Sequence, residues 1–242
     1  FYQHNKIGSF INMEIFNLFH SDILALFITL KLAFTTCVLL AIIGTPIAYY
    51  LAFKSTKGKP ILEAVITLPL VLPPTVIGFY LIVLFSPDTF LGKVFILMTG
   101  SQLIFSFYGL VLASVIYSLP FWVQPLQSSF EKIGKDTLNT SKSLGANPLD
   151  TFFNIIIPLC KRGFLTSFII SFAHTMGEFG IVLMVGGGIH GKTKVIAISI
   201  YDHVEQLSFG KAHFLAGGML FLSFIILLTL YYSNKQAAVR VK

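Results

Sequence analysis

The sequence predicts an all-α integral membrane protein with five transmembrane helices, or six if residues 88–101 supply one. Three observations predict it. First, 55% of the 242 residues are hydrophobic and only 11% are charged, where a soluble domain carries about 25% charged residues. A soluble fold of this length leaves too much surface in water to hide that apolar content, and a bilayer removes the constraint. Second, five stretches reach the roughly 20 helical residues needed to cross about 30 Å of hydrocarbon. They are 32–53, 64–85, 103–123, 164–185 and 212–232, and together they hold one acidic residue, Glu178, and no Lys or Arg. Third, the basic residues are concentrated in alternate connections.

The elements follow in chain order. Residues 1–31 read as an N-terminal extension and an amphipathic lead-in. The first twelve, FYQHNKIGSFIN, are polar, and Met13 opens MEIFNLFHSD, so residues 1–12 are expected to precede the natural start. Residues 13–31 can lie on the membrane surface or lengthen the first span. No signal peptide is expected, because the run 32–53 is too long and no small-residue cleavage site follows it. Pro69, Pro73 and Pro74 interrupt the second span. Each removes a backbone donor and clashes one turn back. A lipid-facing break would leave carbonyls unsatisfied, so this one should be buried or line a cavity, as a static kink or as part of a pathway or gate. Residues 88–101 are mixed and short, and read as an outer loop, a re-entrant piece or a sixth helix.

In the fourth span, a charged Glu178 costs at least about 2.5 kcal/mol, so it should face a bundle interior or a water-filled path. His174, four residues earlier, shares its face. The two are either a structural pair locking helices together or part of a gate. Gly177 and Gly180, with Gly217 and Gly218 in the fifth span, permit close helix contact. The transmembrane domain is therefore 32–232, followed by a tail, 233–242.

Charge gives the orientation. Lys54, Lys57, Lys59, Lys132, Lys135, Lys142, Lys161, Arg162, Lys235, Arg240 and Lys242 lie in alternate connections. The opposite side holds Lys6, Lys31, Lys93, Lys192, Lys194 and Lys211. The positive-inside rule then places the N-terminus outside, and the C-terminus and residues 130–163 in the cytoplasm. The net charge of +7 is explained by this asymmetry, so no nucleic acid partner is expected. Cys37 and Cys160 have no metal-ligand spacing, and no metal site is expected.

Residues 130–163 are not a disordered linker, because helix punctuation runs through them. Gly145 can end a helix begun near Lys135, since it accepts the left-handed conformation without Cβ strain. Asn147 then offers an N-cap, Pro148 fits the first helical turn, and Asp150 suits the positive helix end. Leu149, Phe152, Phe153 and Ile156 form one apolar face, and Pro158 is expected to stop the helix. Such a helix either docks into a partner's groove or packs on its own membrane domain.

These residues carry a family resemblance. Gly145, nine residues, then Ile155-Ile156-Ile157-Pro158 resembles the second half of the EAA loop of ABC importer permeases, with Asn139-Thr140-Ser141 in place of the EAA residues and Ile157 in place of Leu. Leu68-Pro69-Leu70-Val71-Leu72-Pro73-Pro74-Thr75-Val76-Ile77-Gly78 is similar to the LPLVLPPTVxG run of molybdate permeases. Met176-Gly177-Glu178-Phe179-Gly180, Gly191-Lys192-Thr193 and Ile200-Tyr201-Asp202 resemble their LGEFG, GKT and IYD stretches. The resemblance extends over nearly the whole chain from Met13. It implies a molybdate permease subunit of the type I ABC importer fold, working as a homodimer in the membrane lipid of the bacterial cytoplasmic membrane. It implies two cytoplasmic ATPase subunits, which bind ATP and Mg, and an extracytoplasmic molybdate-binding protein. No cofactor and no catalytic residue are expected in this chain.

Under the resemblance, Gly145, Asn147, Pro148, Phe152, Ile155 and Pro158 are the ATPase-coupling loop. Pro73, Pro74, Thr75, His174 and Glu178 are pathway or gate candidates, with Thr75 and Thr67 offering neutral hydroxyls to an oxyanion. A carboxylate repels an anion, which favours a structural or gating role for Glu178 over direct ligation. Molybdate permeases usually carry Arg where His174 stands. Tungstate or sulfate is the alternative substrate. An ion-coupled secondary transporter with Glu178 as proton carrier is a reading from another class, and it has no need of a docked loop helix. The run Gly186-Gly187-Gly188-Ile189-His190-Gly191-Lys192-Thr193 satisfies the phosphate-loop pattern. It follows a 22-residue span instead of a short strand, lies on the outer side, and lacks a following strand that ends in Asp to hold Mg. A tight outer turn is expected there, with Lys192 and Lys194 facing water, headgroups or the binding protein.

Overall fold

The computed structural model describes the backbone of residues 2–54 and 57–235 and the side chains of 21–54 and 57–232. Among the described residues the secondary structure is entirely helical. The readings made for residues 1–12 and for the tail 233–242 fall outside the described side chains.

Helix α1 (Tyr2–Phe53) is continuous, so the lead-in lengthens the first span. Its Ser21–Phe53 part is long and apolar enough to cross a membrane. The second expected span is two helices, α2 (Lys59–Val71) and α3 (Pro74–Phe85), set at 112° to each other. The prolines dictate where the break falls. Leu72 and Pro73 each precede a proline, which excludes the helical region at that position, and both are extended, with ψ of 139° and 137°. Pro69 stays inside α2, within its last turn.

Helix α4 (Phe90–Thr99) is capped by the Thr89 hydroxyl, which accepts from Gly92 N at 3.1 Å, and it ends at left-handed Gly100. Ten residues rise only about 15 Å, so 88–101 forms a short helix and not a sixth span. The third span starts later and runs further than expected, as α5 (Phe107–Glu131). Ser106 caps it, accepting from Gly109 N, and Pro120 and Pro125 lie within it without ending it.

The loop region contains α6 (Gly134–Ser143), α7 (Pro148–Thr151), a π-helical turn (Phe152–Ile156) and α8 (Ile157–Leu159). Contrary to expectation, Pro158 does not stop this helix. The π turn shifts the hydrogen-bond register, with Ile157 N donating to Phe152 O, so the missing Pro158 donor is absorbed. The chain turns instead at Cys160, where α9 (Lys161–Gly177) leaves at 73°. The fourth expected span is also two helices, α9 and α10 (Gly180–Gly186), parted at Glu178–Phe179. Two elements complete the chain: α11 (Ile196–Glu205), amphipathic and unforeseen, and α12 (Phe209–Lys235), which contains the fifth span.

Helices α1, α5 and α9 form the core. Leu32, Leu40, Leu51, Leu110, Val123, Leu126, Phe130 and Ile156 are fully buried in it. Inside a bilayer this burial gains little from water, so close fit carries the stability. Gly44 illustrates it: a Cβ there would stand 2.7 Å from the Trp122 ring. Trp122 Nε1 donates to Thr45 Oγ1 at 3.2 Å, and Ser167 Oγ on α9 donates to the Trp122 carbonyl at 2.9 Å. Helix α12 lies at the edge, with Phe214, Leu220 and Phe221 exposed.

Candidate functional site

The two helix breaks meet. A Cβ at Gly180, the first residue of α10, would stand 2.9 Å from Pro74 Cβ, the first residue of α3. Four residues on, a Cβ at Gly78 would stand 2.9 Å from Met184 Sδ. Contacts advancing by four on both sides mean that α3 and α10 run parallel from a shared level. The two glycines remove the side chains that would hold them apart. Neither helix start has a side-chain cap. Pro73 and Thr75 are exposed on this chain, and Pro74 is half-buried in the contact. Thr67 is engaged, accepting from Gln124 Nε2 at 3.3 Å.

Glu178 terminates α9 with extended backbone, so it is not mid-helix as its sequence position suggested. Its side chain is 5% exposed. Oε2 accepts from Ser114 Oγ at 3.1 Å, and Oε1 is buried without a partner among the described residues. His174 turns to the same helix: its Nδ1 lies 3.0 Å from Ser118 Oγ, which also lies 3.0 Å from Thr175 Oγ1. The imidazole stacks on Phe121 at 3.9 Å and meets Tyr117 at 4.9 Å. Ser114 and Ser118, one turn apart on α5, thus receive both groups. Sequence reading missed these serines, although two hydroxyls at i and i+4 in an apolar span are a legible signal.

The loop helix forms the second site. Gly145 has φ +83°, with open space where a Cβ would point. Asn147 Oδ1 accepts from Asp150 N at 2.7 Å, and Pro148 opens the helix. The buried Ser141 and Thr151 hydroxyls join α6 to α7. The apolar face divides. Ile156 is fully buried, and Phe152 packs edge-on against Tyr49 of α1 at 5.8 Å. Phe152 is therefore turned inward, and Ile155 is half-buried. Leu149 and Phe153 remain 69% and 59% exposed, flanked by exposed Leu144 and Leu159. Packing on the membrane domain therefore holds for Phe152 and Ile156, while Leu149 and Phe153 are left uncovered.

The glycine-rich run 186–193 is a tight turn. Gly187, Gly188 and Gly191 have positive φ. Thr193 is buried, its hydroxyl donating to Gly186 O at 2.6 Å and accepting from Ile189 N at 2.9 Å. That hydroxyl is consumed in closing the turn and is not free for a phosphate or a metal. Lys194 pairs with Asp202 of α11, correcting its expected exposure to solvent, while Lys192 is exposed. A second contact unseen in the sequence joins α11 to α1, where His203 Nε2 lies 3.1 Å from Asp22 Oδ2.

Residues 44–241 match the family model described as binding-protein-dependent transport system inner membrane component. The chain is 50% identical over 217 residues to the molybdenum transport system permease protein ModB of Azotobacter vinelandii, covering 90% of this chain and 96% of that one. It is 31% identical over 187 residues to the sulfate transport system permease protein CysT of Synechocystis sp., covering 77% and 65%. Among solved structures it resembles a bacterial alginate ABC transporter crystallised with an alginate pentasaccharide-bound periplasmic protein. That match has a TM-score of 0.67 at 16% identity over 92% of this chain and 81% of that chain.

Proposed function

Since this chain belongs to the family of binding-protein-dependent transport system inner membrane components, we propose that it is the permease subunit of an ATP-driven importer for molybdate. The observation that carries the coupling role is the capped helix at 148–159, which is anchored by Phe152 and Ile156 yet keeps Leu149 and Phe153 uncovered. The identity to the molybdenum permease over 217 residues supports molybdate over tungstate or sulfate.

In this reading ATP and Mg bind a separate cytoplasmic ATPase, and the exposed Leu149–Phe153 face seats in its groove. The chain supplies no catalytic group. Two copies form a homodimer about the substrate path, because one chain of this size cannot both pack its core and enclose a hydrated dianion, and twofold closure is the commonest arrangement. A binding protein delivers the oxyanion from outside, and the C-terminus and loop 130–163 face the cytoplasm.

The meeting of two broken spans supports a gate. A helix pair joined through Leu72–Pro73 and another joined through Glu178–Phe179 can swing with little change in internal hydrogen bonding, since their backbone ladders are already interrupted. Pro73, Pro74 and Thr75 sit on the α3 side of that gate. Glu178 and His174 hold the α9 side to α5 through Ser114 and Ser118. A buried carboxylate repels an anion, so Glu178 positions the break and does not ligand the cargo.

The test is reconstitution of the complex with its ATPase and binding protein, measuring which oxyanion stimulates hydrolysis and uptake. Molybdate should do so at the lowest concentration. Equal stimulation by sulfate would defeat the substrate assignment, and uptake without ATP would defeat the importer.

A further inference from the structure

A cavity of about 750 Å³ lies where the end of α5, the start of α6, the end of α8 and the start of α9 converge. Two cations line it, Lys132 just past α5 and Arg162 in the first turn of α9. Neither has an ion-pair partner among the described residues. The neighbouring carboxylate, Glu131, is already held by Lys59 at 3.8 Å and Gln127 at 3.0 Å. No carboxylate lines the cavity among the described residues. The hydroxyls of Ser128 and Thr166 also line it and have no hydrogen-bond partner among the described residues, while the Ser129 hydroxyl meets the Cys160 thiol.

The cavity wall is built for close approach. Gly163 is buried, and a Cβ there would stand 2.4 Å from Ser129 Cβ and 2.5 Å from its Oγ, so α9 packs directly on the Ser129 side chain of α5. The first turn of α9 has no side-chain cap, which leaves the positive end of a 17-residue helix dipole on the wall that carries Arg162. Two unpaired cations, two unpartnered hydroxyls and an uncapped helix start form a donor set without an acceptor. A tetrahedral phosphate-type oxyanion supplies the complement: charge for Lys132, a fork for the Arg162 guanidinium, and acceptor oxygens for the hydroxyls.

We propose that this cavity binds a phosphate-type oxyanion that bridges Lys132 and Arg162. The ligand is either an anionic phospholipid headgroup or a free oxyanion from the aqueous phase. Its place beside the end of the 25-residue α5 span, among basic residues at a bilayer edge, is where headgroups collect. The bound anion pins the start of α9 to the end of α5, on either side of the 73° bend that carries the loop helix. The site stands on its own residues and does not depend on the transport reading.

The test uses the full chain purified in detergent. Native mass spectrometry measures retention of phosphatidylglycerol, and thermal unfolding is followed with added phosphatidylglycerol or inorganic phosphate. The wild type should bind one equivalent and be stabilised by it. Lys132→Gln with Arg162→Gln should weaken binding on the order of tenfold to thirtyfold, as expected for two surface-proximal charges. Both side chains are exposed, so the ligand-free unfolding midpoint should be unchanged. Lys161→Gln, adjacent but outside the cavity, should bind like the wild type, and Arg162→Lys should fall between. Stabilisation by phosphatidylglycerol but not phosphate identifies a headgroup site, and stabilisation by phosphate identifies a free-oxyanion site. Binding of neither, or equal weakening by Lys161→Gln, overturns the proposal.

Discussion

Phe153 gives the sharpest test of the coupling role. Its side chain is 59% exposed. A phenylalanine offers about 200 Å², so a groove covering this one removes roughly 120 Å² from water. At about 25 cal/mol per Å² that is close to 3 kcal/mol, or on the order of a hundredfold in affinity. Phe153→Ala should therefore weaken association with the separately purified ATPase by up to that factor. The permease's own unfolding should shift by no more than about 0.5 kcal/mol, as for other surface changes. Phe152→Ala is the internal contrast. Phe152 packs on Tyr49 at 5.8 Å, and its loss should destabilise the permease by about 2 kcal/mol, below the range for a fully buried Phe. Affinity is read by surface-immobilised permease in nanodiscs, stability by thermal unfolding, and coupling by binding-protein-stimulated hydrolysis. If Phe153→Ala binds the ATPase within twofold of wild type, the exposed face is not the docking face.

Three further outcomes are expected. Gly145→Val should cost roughly 1–2 kcal/mol from backbone strain, because φ is +83°. Gly145→Ala should cost nearly as much, since nothing lies within 4 Å of a Cβ there and the strain is conformational; a calorimetric difference above about 1 kcal/mol between the two would refute that account. Cysteine at Lys142 should resist a membrane-impermeant thiol reagent in intact cells and cysteine at Lys192 should react. Native Cys37 and Cys160 are buried and give a low background; the reverse pattern would invert the topology. Thr193→Ala should lower the unfolding free energy by about 1–3 kcal/mol by leaving Gly186 O and Ile189 N unpaired. Per folded complex it should leave ATP hydrolysis unchanged, and loss of hydrolysis would revive the phosphate-loop reading.

Much of this protein was legible in one dimension. Hydrocarbon thickness imposes a minimum apolar length and forbids unpaired backbone, so composition and run length mark the membrane class and the regions that traverse it. Local backbone chemistry is equally readable: Gly145 in the left-handed region, Asn147 as cap and Pro148 at the helix start occupy the roles their side chains dictate. Two consecutive residues before prolines place the break at Leu72–Pro73.

Only the tertiary structure decided the rest. An apolar run does not reveal a break at Glu178, because Phe179 and Gly180 do not forbid helix; Gly180 meets Pro74, 106 positions earlier. The division of the loop helix into an inward Phe152 and an outward Phe153 depends on a π turn and on Tyr49 of α1. Ser114 and Ser118 become partners of Glu178 and His174 only once α5 lies against α9. Local conformational preferences and solvent partitioning are set within a few residues and so can be read along the chain. Which side chains meet depends on how helices cross, and that is set jointly by elements far apart in sequence.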